Sequence, residues 1–125
     1  MFHKITTILL WSDNYERLAK WYQDVFNVRV VEQLDNPEDT GILMEFPDGQ
    51  PWIWAGRHSA IQGINKDPLR IMFNVSVDSV SAAYEYLKEK KVVFIATPFK
   101  APTFDKWFAT FSDPDGNTVQ IIGGK

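Results

Sequence analysis

Few side chains in this sequence are equipped for chemistry, and their types narrow the choice further. There are two histidines, His3 and His58, and no cysteine. A thiol nucleophile, a thiolate metal site and a disulfide framework are therefore excluded. His58 falls in an irregular polar stretch and His3 near the start, and both read as surface polar residues before they read as metal ligands. No G-x-S-x-G elbow, H-E-x-x-H helix, phosphate loop or Gly-rich dinucleotide fingerprint occurs. Glu45 ends a predicted strand and is the one carboxylate placed to overhang a cleft, although an exposed strand-end carboxylate is the plainer reading. What the chain has instead is aromatic surface, with five tryptophans in 125 residues. An indole face stacks on a planar ligand or holds a cation. Trp11 and Trp107 are the candidates for that role. Trp107 follows an irregular segment, 100–106, whose Pro102 suits a lid over a cleft mouth.

These residues must be positioned by elements, and the elements come in two matching sets. Ile5 to Trp11 reads as a strand, and Ser12-Asp13-Asn14 can cap the helix that follows. Tyr15, Leu18, Trp21, Tyr22, Val25 and Phe26 form its apolar stripe, and Asn27 suits a left-handed helix end. Strands follow at 28–33, 41–46 and 52–55, with Pro47-Asp48-Gly49 as a tight turn. The second half repeats the order: a strand at 71–77, a helical stripe of Val80, Ala83, Tyr84 and Leu87, then strands at 92–96, 107–111 and 118–122. Phe46-Pro47-Asp48-Gly49-Gln50 aligns with Asp113-Pro114-Asp115-Gly116-Asn117. The expected organisation is a single domain over 1–125, with module one at 1–55, a Gly-containing polar linker at 56–68 and module two at 69–125. The fold class is α+β: two βαβββ modules forming a curved eight-stranded mixed sheet around a cleft, helices on the outer face.

Asp13 to Phe26 (DNYERLAKWYQDVF) and Asp113 to Gln120 (DPDGNTVQ) resemble the vicinal-oxygen-chelate superfamily, which includes glyoxalase, bleomycin-resistance and extradiol dioxygenase proteins. The resemblance runs along essentially the whole chain, although Lys91 stands where the family usually has Gly. It implies a divalent ion held by one side chain from the first and last strand of each module, commonly His, Glu, His and Glu. Counting from the helix start and from the Asp-Gly turns carries those positions onto Thr7, Ile53, Met72 and Gln120. None is a strong ligand for a hard cation, and a one-residue slip recovers no histidine. His3 lies about 13 Å along an extended strand from Thr7. The expectation is that this member has no metal site and no cofactor.

Strand alternation then assigns faces. Ile8, Leu10, Phe73, Val75 and Val77 belong under the helices. Thr7, Leu9, Trp11, Ile53, Met72, Asn74 and Gln120 are expected to line the cleft, with Trp107 at its mouth, as a ligand-binding set. The lining is apolar with a few polar groups, the usual make-up of a small-molecule pocket. Trp21 reads as core. Trp52 and Trp54 flank Ile53 and point away from the cleft, toward a helix or a partner subunit. The formal charge of −3 and the lack of a basic stripe argue against nucleic acid. Lys88, Lys90 and Lys91 suit a helix end rather than a polyanion site. No leader pattern or membrane-length apolar run is present, so a cytoplasmic protein without membrane contact is expected. The function expected is a metal-free small-molecule-binding protein of the glyoxalase/bleomycin-resistance type, sequestering an apolar or aromatic small organic ligand, and a homodimer. The alternative is a glyoxalase-like lyase, isomerase or dioxygenase-related enzyme with a non-standard or metal-independent site.

Overall fold

Asn14 starts the first helix and Asn27 stops it. The Asn14 side chain accepts the Arg17 backbone N–H at 3.2 Å, and Asn27 adopts the left-handed conformation with φ 55°. Asparagine suits both tasks because its short polar side chain bonds nearby backbone and tolerates positive φ. Between them α1 (Tyr15–Phe26) buries Leu18, Ala19, Tyr22 and Val25 on one stripe. The structure, a computed structural model, describes residues 1–125 and divides into two compact units, Met1–Gly63 and Ile64–Lys125.

In the first unit α1 is followed by β2 (Arg29–Asn36), β3 (Asp39–Phe46) and β4 (Gly49–Arg57), and preceded by β1 (Thr7–Ser12). The sheet order is β1-β4-β3-β2, with β1 and β4 parallel and the other pairs antiparallel. Directly paired residues share a face. Ile8 pairs with Ile53, which pairs with Met44, and Leu10 pairs with Ala55, which pairs with Ile42. Ile42, Met44, Ile53 and Ala55 are buried, and Phe26 of α1 packs on Phe46 with ring centroids 5.6 Å apart. This is the helix-covered face.

The second unit repeats the plan with β5 (Phe73–Ser79), α2 (Val80–Glu89), β6 (Val93–Lys100), β7 (Trp107–Ser112) and β8 (Thr118–Gly124), in sheet order β5-β8-β7-β6. Ser79 caps α2 by accepting the Ala82 N–H at 3.2 Å. Tyr84 meets Phe94 at 4.8 Å, and Phe94 meets Phe111 at 5.8 Å, over a floor of Ala109, Val119 and Ile121. The Asp113 carboxylate shapes the turn before β8: it accepts the N–H groups of Asp115 and Asn117 and the Asn117 side-chain amide. Lys91 follows α2 with φ 61°. That conformation costs a side-chain-bearing residue roughly 1–2 kcal/mol, which accounts physically for glycine being the expected residue there.

The strand-helix-strand-strand-strand order is as read from the sequence in both halves. The ladders give eight strands in two four-stranded mixed sheets, one per module. Some boundaries move. β1 begins at Thr7 and β5 at Phe73, so Met72 lies just outside its strand; β4 runs on to Arg57, into the stretch expected to be linker.

Candidate functional site: the tryptophan face of the first sheet

The register corrects the faces assigned to β4. Thr7 pairs with Trp52, Leu9 with Trp54, and Trp11 with Gly56. Trp52 and Trp54 therefore share the open face with Thr7, Leu9 and Trp11, whereas Ile53 lies under α1 at 1% exposure. Ile53 is thus core, not lining. The cause is a one-residue difference between the two hairpins. Met44 pairs with Ile53 nine residues on, but its counterpart Phe111 pairs with Val119 only eight residues on. The extra residue is absorbed at the irregularity between Met44 and Phe46. Counting both last strands from their Asp-Gly turns slips β4 by one, and a slip of one exchanges the faces of the whole strand.

The open face is built around two glycines. Gly41 pairs with Gly56, and the Trp54 indole lies across both. A Cβ at Gly41 would stand 2.5 Å from Trp54 Cζ2; one at Gly56 would stand 2.7 Å from Trp54 Cε2 and 2.9 Å from Trp11 Cζ3. All three distances are shorter than real Cβ contacts, so only glycine leaves room for the ring. Trp54 is 8% exposed and serves as floor, while Trp11 (37%) and Leu9 (53%) remain accessible beside it. The Trp11 ring meets His58 edge-on at 5.4 Å.

Toward the other end of the same face, Glu45 is fully engaged. One carboxylate oxygen takes Arg29 Nη2 at 2.6 Å and the other takes the Trp52 indole N–H at 2.7 Å. The Arg29 hydrogen bond, then that from Trp52, holds the Glu45 carboxyl below its ordinary value. An ionised carboxylate with both oxygens occupied anchors Trp52 and is poorly suited to abstract a proton.

Module two presents a different surface. Asn74 and Gln120 are cross-strand partners on its open face, and Gln120 donates to Thr110 Oγ1 at 3.0 Å. Asn74 and Met72 are exposed. Trp107 departs from expectation: its register places it with Ala109 and Phe111 on the helix side, where Lys125 Nζ sits 5.1 Å from its ring. It is not placed as lining. Nor is the segment before it a free lid, because Ala101 is buried and its N–H is tied to Lys106 O at 2.8 Å.

The hard-cation chemistry implied by the family resemblance needs anionic or imidazole donors. On the open face of module one, β1 and β4 offer Thr7, Leu9, Trp11, Trp52, Trp54 and Gly56; in module two, β5 and β8 offer Asn74, Ser76, Gln120 and Ile122. Hydroxyls and neutral amides are weak partners for a hard divalent ion, and no three His, Asp or Glu side chains come together to hold one. The residues do not fit the ion.

No helix is long and apolar enough to cross a membrane. Searches with the whole chain find no match among curated proteins. Solved structures match along nearly its full length. A glyoxylase/bleomycin resistance protein/dioxygenase domain from Frankia sp. EAN1pec has a TM-score of 0.81 at 14% identity, covering 100% of both chains. TnmS3, described as an antibiotic binding protein from Streptomyces sp. CB03234, has a TM-score of 0.79 at 15% identity, covering 99% of this chain and 98% of its own. A lactoylglutathione lyase from Agrobacterium tumefaciens has a TM-score of 0.71 at 17% identity, covering 97% and 93%. At these identities the likeness is one of fold. The family model named Glyoxalase/Bleomycin resistance protein/Dioxygenase superfamily matches residues 4–121. With nearly every residue inside that match and the strand order to go with it, the chain belongs to the glyoxalase/bleomycin resistance protein/dioxygenase superfamily.

Proposed function

We propose that this protein binds a planar, largely apolar small molecule on the tryptophan face of its first sheet, and does so without a metal ion. The observation that carries the reading is the β1–β4 register, which puts Leu9, Trp11, Trp52 and Trp54 on one face. Apolar area removed from water is worth about 25 cal/mol per Å², and ring stacking adds about 0.5–1.5 kcal/mol. Trp11 and Leu9 have that area to offer. The antibiotic-binding description of TnmS3, a protein of the same fold, supports a binding role by analogy. A lyase or isomerase needs a poised acid or base, and Glu45, the carboxylate that touches Trp52 on this face, is committed to Arg29 and Trp52.

The test is a thermal-shift screen of small aromatic compounds followed by calorimetric titration, with elemental analysis of the purified protein. A ligand at a hundred times its Kd should add roughly 2.7 kcal/mol of stability. Trp11→Ala should then weaken that ligand about tenfold, equivalent to about 1.4 kcal/mol, while the variant stays folded. Undiminished binding by the variant would place the ligand elsewhere, and a stoichiometric divalent ion would end the metal-free reading.

A further inference from the structure

At the end of the first sheet nearest Trp11, the β2–β3 turn and the residues that close β4 surround a cup of about 340 Å³. Its wall carries opposite charges: Glu38 from the turn, Asp39 from the start of β3 and Arg57 from the end of β4, with His58 and Ser59 beside it. The charges do not close on one another. The one side-chain hydrogen bond of Arg57 runs from Nη2 to Thr40 Oγ1 at 3.3 Å, and neither carboxylate is paired with the guanidinium. Thr40 is buried, and its hydroxyl donates in turn to the Asn36 carbonyl oxygen, so the contact fixes the guanidinium from below. Arginine has five N–H donors, and most of those on Arg57 are uncommitted. The His58 ring is also held. Its Nδ1 accepts the Ala60 N–H at 3.0 Å, which in the neutral ring leaves Nε2–H as the donor.

We propose that this cup receives the mixed-charge head of the ligand whose ring rests on Trp11, an anionic and a cationic group a few bonds apart, as in an aromatic α-amino acid. The inference rests on the aromatic-binding reading above and narrows its ligand class. Three observations carry it. The volume lies at the low end for ligand pockets, room for a polar head rather than for a whole drug-sized molecule. Separated charges of both signs disfavour a purely anionic or purely cationic head relative to a mixed one, because each would face one repulsive wall. The cup also adjoins the ring site, since His58 lines it and touches Trp11 edge-on. An anionic group is received by Arg57 and by His58 Nε2–H, and an ammonium by Glu38 and Asp39.

The experiment is calorimetric titration with four probes sharing one ring: indole, tryptamine, indole-3-propionate and free tryptophan. The zwitterion should bind wild type roughly fivefold or more tightly than either singly charged probe, the scale of one solvent-accessible charge contact of about 1 kcal/mol. Arg57→Gln should bring tryptophan down to the level of tryptamine and leave tryptamine unchanged. The double variant Glu38→Gln with Asp39→Asn should bring tryptophan down to indole-3-propionate and leave that probe unchanged. Equal affinity for all four probes, or equal losses for every probe in each variant, overturns the cup proposal while the aromatic reading stands. Binding of none of the four sinks both together. All three side chains are exposed at the sheet end, and a melting curve of each variant verifies its fold.

Discussion

Glu45 brings a charge to a face that is otherwise mainly apolar, and it is held there by Arg29 and the Trp52 indole. Because its folded-state pKa is lowered, its contribution to stability is complete above its ordinary value of 4.5 and is lost as pH falls through the lower folded value. Denaturant titrations across the acid range should show that step in wild type and lack it in Glu45→Gln. Identical acid limbs for the two proteins would contradict the assignment. Individual side chains were only partly legible in the sequence. Asn14 and Asn27 could be read because cap chemistry is local. Glu45 could be singled out, but its partners Arg29 and Trp52 lie sixteen residues back and seven on, and no local rule pairs them. Trp107 was misplaced for a similar reason, since the face of a residue at a strand start depends on the partner register.

At the level of elements, the seat made by Gly41 and Gly56 is the feature most open to a single change. Gly56→Ala puts a methyl group where the Trp54 and Trp11 rings converge. Overpacking of this kind typically costs 1–3 kcal/mol, and we expect a loss in that range with a changed near-ultraviolet circular dichroism signal from the displaced indoles. A variant with wild-type stability and spectrum would mean that the rings do not rest on the glycines. All eight strands and both helices were legible, because their periodicities and turn residues are written locally. The faces of β4 were not. Its run Trp52-Ile53-Trp54-Ala55 has no polar residue to mark alternation, so only the pairing with β1 and β3 decides which rings are core.

For the whole molecule, duplication was the clearest message of the sequence, and each half does form its own four-stranded sheet and helix. Module two leaves Val93, Ile95 and Phe99 exposed along β6, an edge strand. Exposed apolar edges invite pairing, and a second copy of the chain is the partner we propose. Sedimentation at micromolar concentrations should give twice the 14.4 kDa chain mass; a monomer there rejects the proposal. The odd residue in the first hairpin reaches further than the register it alters. One inserted or deleted codon in such a turn exchanges lining and core along an entire strand. The exchange is survivable where both faces are already apolar, as they are in β4. A gene that has doubled a βαβββ unit thereby has a route to new ligand chemistry in one half by a single length change, with the other half keeping its original pattern and no stepwise substitution of the lining.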